Sequence, residues 1–599
     1  MTDSQAPAQT AEIPATPPAE PAPALQPGFL TWLGRRPYSL LALLGFLLWL
    51  PGILSLPPLD RDESRFAQAS RQMVESGDPV DIRLGQVPRY KKPIGIYWLQ
   101  SASTAVSSIF VHGDTQKIWT YRLPSLLGAI AASWLTLWCA LALASAPVAL
   151  VAGLLMLGSV LLSAEATIAT TDAVLLACTL ALQGVLLRVY RAARDPNAPQ
   201  PSNRLVTLGW VACAAGILVK FPIVPGVALV TILGLIVWDG IEARRAGTDI
   251  RQSWQWLTRL QARRGLILTV LLVLPWLIAI TIQSQGAFFE QSLGNDFAAK
   301  LAGGQESHGM PPGYYLLLAA ATFFPAILFV APGILTGVVR RNEPAIRFLL
   351  VWAGAWWLLV EAVPTKLPHY ILSSYPALAI LAALFILTPA PDAAWLPRWL
   401  KVARWIAAVQ FAVGAAVLTA GPFLLPKMFG NGDVWWLMAL AATGAVLSLT
   451  ALILALRQVH VWAMMTAFVA MLVFVPTLLA GVAPRLDQIW VTENLKPLVA
   501  AASRPGDPPL ALAGYQEPSM LFAFGKDTKL ADGAGAADAG AASGGLALVE
   551  DEALGDFLAR LAELQADATM VGDLRGFNYS RGRKVHVSLY RVTRMYGPR

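Results

Sequence analysis

The chain has 599 residues, 56% hydrophobic and 14% charged, with a formal net charge of +8. Apolar runs of membrane-spanning length recur along most of it, which excludes an ordinary soluble domain and predicts a multi-span helical membrane protein. The arginines are spread over many short loops and form no single basic face, which excludes a nucleic-acid-binding module and makes the positive balance a topology signal.

Residues 1–30, rich in Pro, Ala, Thr and Glu, lack the basic and apolar regions of a secretory leader and read as a disordered cytoplasmic tail. Arg35 and Arg36 precede the first apolar run, 38–56, and place the N-terminus in the cytoplasm. Further runs lie at 121–143, 146–164, 172–190, 205–220, 222–238, 265–283, 314–337, 347–363, 370–388, 403–425, 434–456 and 460–482. Threaded alternately they give about thirteen spans within a transmembrane domain over 31–483. The short loops carrying Arg188 to Arg204, Arg244 to Arg264, Arg340 to Arg347, Arg398 to Arg404 and Arg457 then share one side, cytoplasmic by the positive-inside bias. Two long loops, 57–120 and 284–313, fall on the opposite, periplasmic side, as does everything after 483. Cys139, Cys178 and Cys213 sit inside apolar runs without a CxxC and read as packing residues.

From 484 the hydrophobic runs become short and strand-like, at 510–513, 546–549, 569–571 and 585–592, with a helical stretch at 551–566. Residues 484–599 therefore read as a small periplasmic α/β domain. The Gly/Ala-rich piece 532–545 reads as a flexible loop within it.

The polar stretch from Pro57 to Trp98 sets carboxylates (Asp60, Asp62, Glu63) and cations (Arg61, Arg65, Arg89, Lys91, Lys92) beside the membrane. Phe66, Ala69, Met73 and Val74 follow Asp62 at helical spacing, so 62–76 reads as an amphipathic interfacial helix. Asp62 is then either the helix N-cap or a general base at the point where an acceptor enters, with Asp60 and Glu63 as competitors. Asp172 follows Thr170 and Thr171 at the outer end of a run, with Glu165 shortly before it, and carboxylates at that depth face a cavity or a partner. Lys92, Lys220 and Lys366 also project to the outer side. Each is a snorkelling anchor or, with Arg65, part of a phosphate site. His308 and His369, with Glu306 or Asp62, are the candidates for a divalent metal, although their spacing is not a metal signature.

An Asp-Glu-x-Arg loop after the first span, Lys92-Pro93 before the second, Asp172 at the start of the fourth, Lys220 before a Pro, and Lys366-Leu367-Pro368 followed by Tyr370 occur here in that order. In this the chain resembles the GT-C membrane glycosyltransferases of the aminoarabinose-transferase (ArnT-like) and protein O-mannosyltransferase type over about 35–480. The resemblance extends to GYQEPSMLFAFG and GFNYSRGRKV in the C-terminal part. It implies a thirteen-helix GT-C bundle and an inverting transfer of a sugar from a polyprenyl-phosphate donor to a lipid acceptor of the lipid A kind, at the periplasmic face of a bacterial inner membrane. It also implies Asp62 and Asp172 as catalytic carboxylates, and Arg65, Lys92, Lys220, Lys366 and Tyr370 around the donor phosphate. Glu63, Lys91, Lys300 and His369 are further cavity residues. The relatives' Glu before Lys-Pro is Lys91 here, and their His-Glu-His loop reads Asn295-Asp296-Phe297. The rival expectations are a protein acceptor, or a flippase for the lipid-linked sugar.

Overall fold

The computed structural model describes residues 35–110, 114–292 and 309–594. The predicted N-terminal tail lies outside them. Among the described residues eleven helices are long and apolar enough to cross a membrane, from Pro37–Ser55 to His460–Arg485. A twelfth span is the pair Ala146–Leu157 and Val160–Thr167, bent by 61°. Gly158 ends its first half, and the Ser159 hydroxyl accepts from Leu162 N to start the second. The run predicted at 314–337 is also broken, into Tyr314–Thr322 and Ile327–Val339, with Pro325 between them, which has no N–H to carry a helix through. Helices thus stand at every predicted run.

The helix Tyr375–Leu387 is buried along nearly its whole length. Its sequence is apolar on every face, as a helix surrounded by other helices must be. At the end of the bundle bearing the arginine-rich loops, Asp239 is buried and receives Arg347 Nη1 at 2.6 Å, Arg194 Nη2 at 2.5 Å and the Tyr190 hydroxyl at 2.9 Å. Three helices are tied at that point. Two of the arginines that read as topology signals therefore also hold the bundle together. Asp239→Ala removes the buried anion shared by Arg347 and Arg194 and leaves Arg347 only Glu242, at 2.7 Å on a more exposed side chain, and should cost about 3 kcal/mol. The check is a thermal melt of the detergent-solubilised protein, and an unchanged midpoint would remove the tie.

At the other end of the bundle the loop folds into the predicted helix. The helix Asp62–Ser76 buries Phe66, Ala69 and Met73 against Tyr90, Ile94 and Tyr97. A short antiparallel pair, β1 (Arg83–Leu84) and β2 (Val87–Pro88), leads to the helix Gly95–Ser108.

The C-terminal region is a five-stranded mixed sheet of β3 (Ala511–Ala513), β4 (Lys529–Ala531), β5 (Gly545–Glu550), β6 (Ala566–Asn578) and β7 (Arg583–Arg594), in the order β4-β3-β5-β7-β6. β3 runs parallel to β4 and β5, while β5, β7 and β6 are antiparallel in turn. Alternate residues feed two cores: Leu512, Leu546 and Leu548 pack with Leu495, whereas Ala511, Ala547 and Val549 pack with Phe557. The Gly/Ala-rich piece is not a flexible loop. It is the helix Gly533–Ser543, opened by Asp532 accepting from Gly535 N at 2.7 Å. Its small residues serve close packing: a Cβ on Gly540 would lie 2.7 Å from Val592.

Candidate active-site cleft

The end of the bundle opposite the arginine-rich loops holds a cleft of about 1990 Å³, open mouth included, walled by the first loop and by helix ends from four further segments. Asp62 lies in its wall. It is not the N-cap: Arg61, with φ 62°, precedes the helix and Asp62 is its first residue. Its carboxylate opens onto the cleft while protein surrounds it on the other sides. Burial would raise its pKa, but Arg65, then Arg89, His369 and Lys220, outweigh that and hold it below the usual carboxylate range. Arg65 Nη1 stands 3.2 Å from Asp62 Oδ1, one turn along the same helix.

Across the cleft, Asp172 is the first residue of the helix Asp172–Arg194, and Lys220 the last of Asn203–Lys220. Lys220 Nζ donates to Asp172 Oδ1 at 2.7 Å. His369 stands between two carboxylates, with Nδ1 3.8 Å from Glu165 Oε1 and Nε2 3.9 Å from Asp172 Oδ1. Glu165 accepts from the Thr170 hydroxyl at 2.8 Å. Lys91, Lys92 and Tyr370 complete the polar wall, and Phe221, Ile223, Trp356, Leu359 and Val360 give an apolar one.

The structure brings together Asp62, Asp172, Lys91, Lys92, Lys220, His369 and Tyr370 from the sequence-predicted set, with Arg65 behind Asp62. Two predicted residues have other work. Lys366 is buried, and its ammonium donates to the Glu361 carbonyl at 2.7 Å and the Val363 carbonyl at 2.8 Å. It caps the end of the helix Pro344–Ala362 and does not face the cleft. Glu63 reaches the cleft wall, but its oxygens take Arg122 Nε and Nη2 at 2.8 Å each, Leu59 N at 2.8 Å and Ala169 N at 2.7 Å. It is a structural anion with no free capacity for chemistry. Among the described residues no three His, Cys, Asp or Glu side chains are grouped as metal ligands. Lys300, Glu306 and His308 lie outside the described residues.

Two cations escaped the sequence reading as site residues. Arg89 lines the cleft, donates to the Tyr97 hydroxyl at 2.7 Å and stands 5.1 Å from the Phe66 ring centre. Arg122 lies inside an apolar run, and an arginine within such a run was the available signal that it has a buried anion.

The tip of the β6–β7 hairpin reaches this loop. The Tyr579 hydroxyl accepts from Asp60 N at 2.6 Å, and Arg61 donates to the Ser580 carbonyl. Ser519 and Tyr515 donate to the Asp60 carboxylate. The two C-terminal segments singled out in the sequence are therefore the ones that hold the turn before Asp62. Burial raises Asp60 to about pKa 6, with Glu517 adding to the rise and Ser519, Tyr515 and Arg61 opposing it. The folded form thus binds its proton more tightly than the unfolded chain, and this contribution to stability declines as pH rises through about 4 to 6. The melting-temperature difference between wild type and Asp60→Asn should shift in favour of the variant over that range; a pH-independent difference would contradict it.

The crystal structure of ArnT from Cupriavidus metallidurans bound to undecaprenyl phosphate superimposes with a TM-score of 0.70 over 94% of this chain and 98% of that one, at 19% identity. The chain has the ArnT-like GT-C fold. The apo form of the same ArnT gives a TM-score of 0.68 over 92% and 97% of the two chains, at 18% identity. The family described as dolichyl-phosphate-mannose-protein mannosyltransferase matches residues 60–286, a segment of the GT-C bundle that begins at Asp60. In sequence the chain is 27% identical over 395 residues to the undecaprenyl phosphate-alpha-4-amino-4-deoxy-L-arabinose arabinosyl transferase of Enterobacter sp. (strain 638), a stretch spanning 64% of each chain. The enzyme of that name from Yersinia pestis (strain Pestoides F) is 25% identical over 354 residues, 58% of each.

Proposed function

We propose that this protein is an inverting glycosyltransferase that moves a sugar from a polyprenyl-phosphate donor to a lipid acceptor at the periplasmic face of a bacterial inner membrane. The observation that carries the reading is the composition of the cleft. Asp62, whose carboxylate opens onto it, shares the cleft with Arg89, Lys92 and Lys220, faces Asp172 and Glu165 across it, and adjoins an apolar wall suited to a prenyl chain. The relatives' names make a 4-amino-4-deoxypentose the first donor to try.

An oxygen of the acceptor attacks the anomeric carbon from the side opposite the phosphate. The bond from that carbon to the phosphate oxygen breaks, and its electron pair leaves on the polyprenyl phosphate. Negative charge grows on that group during the step, so fixed cations in a site of low dielectric lower the barrier. Asp62, held ionised by its neighbours, accepts a hydrogen bond from the incoming hydroxyl, orients it and takes up its proton as the new bond forms. Lys220, already shared with Asp172, is positioned by that carboxylate and bridges to the leaving phosphate. One in-line displacement gives inversion.

The test is reconstitution of purified protein with polyprenyl-phosphate sugars and a lipid extract, read by mass spectrometry. A sugar-sized mass gain on a lipid is the expected product. Glycan appearing on protein instead would reassign the acceptor. Movement of the donor across a bilayer without product would replace transfer by transport.

A further inference from the structure

The 20-residue span Pro368–Leu387 has the candidate cleft at one end and a second hollow at the other, so the two openings lie at opposite ends of the bundle. Two adjoining spaces there, of about 680 and 1300 Å³ with their open mouths included, share Arg404 and Gln458 in their walls. They are built from helix ends that meet at the arginine-rich end of the bundle. The Arg404 guanidinium has no carboxylate or carbonyl partner among the described residues; its neighbour is the Phe385 ring, 5.7 Å from ring centre to Cζ. Its Nε is shielded from solvent and makes no hydrogen bond, and the same holds for Nδ1 of His460, whose ring packs on Phe385 at 4.7 Å. Lys401, one turn before Arg404, is exposed at the mouth. Of the other charges in the walls, Arg340 is held by Glu343 at 2.7 Å, and Asp392 is on the loop after Leu387.

The shielded Nε–H of Arg404 lacks an acceptor, and the shielded Nδ1 of His460 lacks a partner, which favours a polar ligand in the hollow. What fits must bring several acceptor oxygens and negative charge to Arg404 and Lys401. It must also tolerate an apolar, lipid-facing rim, because Trp405 is 56% exposed and Leu456 44% exposed at the same opening. Tryptophan at that level belongs to the membrane–water interface. We infer that this hollow is a binding site for the phosphate headgroup of an anionic phospholipid, with Arg404 and His460 on the phosphate, Lys401 at the mouth, and the acyl chain lying past Trp405. The site is separate from the cleft and does not depend on the activity proposed for it.

The experiment places the full-length protein in nanodiscs containing a trace of photoactivatable phosphatidylglycerol, irradiates, and maps the labelled peptides by mass spectrometry. Label is expected on segments 389–405 and 456–460, and excess phosphatidylglycerol should displace it. Arg404→Gln and Lys401→Glu should each reduce labelling there about fivefold or more, which corresponds to roughly 1 kcal/mol per cationic side chain near a membrane surface. Lys401 is exposed, so its variant stays informative if Arg404→Gln fails to fold. Equal labelling in the Lys401 variant, or equal displacement by phosphatidylcholine, overturns the inference. Displacement by inorganic phosphate as effective as that by phosphatidylglycerol also overturns it, since the site would then take free phosphate and no lipid.

Discussion

Asp62→Asn should leave the protein folded and slow sugar transfer by about 10²–10⁴-fold, the range spanned by loss of a positioned general base. The substitution is nearly isosteric, and the side chain opens onto the cleft, so little packing is disturbed. What disappears is the negative charge that Arg65, Arg89, His369 and Lys220 stabilise. An amide can accept from the acceptor hydroxyl but cannot take its proton. The measurement is single-turnover transfer with saturating donor, beside a thermal melt of the same preparation. Donor binding should be retained or tightened, because the cations lose a competitor for the phosphate. Transfer at the wild-type rate would remove Asp62 from the chemistry and send attention across the cleft to Asp172 and Glu165.

The second large effect concerns stability. Arg122→Ala should destabilise the protein by about 3–5 kcal/mol, enough to lose most of it during solubilisation. The Arg122 guanidinium is fully buried and donates to the carbonyls of Ile53, Leu56 and Pro57 as well as to Glu63. It closes the end of the first span, where those carbonyls have no helical partner. Glu63 in turn accepts the amides of Leu59 and Ala169. Many buried ion pairs can be replaced by apolar residues without loss. This one should not be: the double variant Arg122→Met with Glu63→Leu leaves three carbonyls and two amides without partners. Fluorescence-detected gel filtration after heating reads the outcome, and recovery of wild-type stability by the double variant would sink the argument. Glu63 and Asp62 are chain neighbours with opposite expected phenotypes, one of fold and one of rate.

Much of the bundle was legible because lipid imposes a simple rule. Every span must satisfy its backbone internally and present apolar side chains over about twenty residues, so periodicity is hardly needed to find it. The breaks at Gly158–Ser159 and at Pro325 lie inside apolar runs and left the hydrophobic signal intact. In the C-terminal region short apolar runs marked β3, β5, β6 and β7, with alternation in β7, while β4 carried no such run and the helix Gly533–Ser543 was misread. Gly and Ala signal flexibility and tight packing equally, and the partner decides: here the surfaces of Val592 and Phe557.

The spans and the residue types available for phosphate chemistry were readable along the chain, because they follow from hydropathy and charge in consecutive residues. Which charges face the cleft depends on how helices distant in sequence pack. Asp62 and Glu63 are adjacent in sequence, yet one opens onto the cleft and the other is consumed by Arg122, 59 residues away. Lys220 and Lys366 both follow apolar runs at the cleft end of the bundle, yet one meets Asp172 and the other caps carbonyls. A charged side chain's role is set by the partner that desolvates or neutralises it, and that partner comes from another helix.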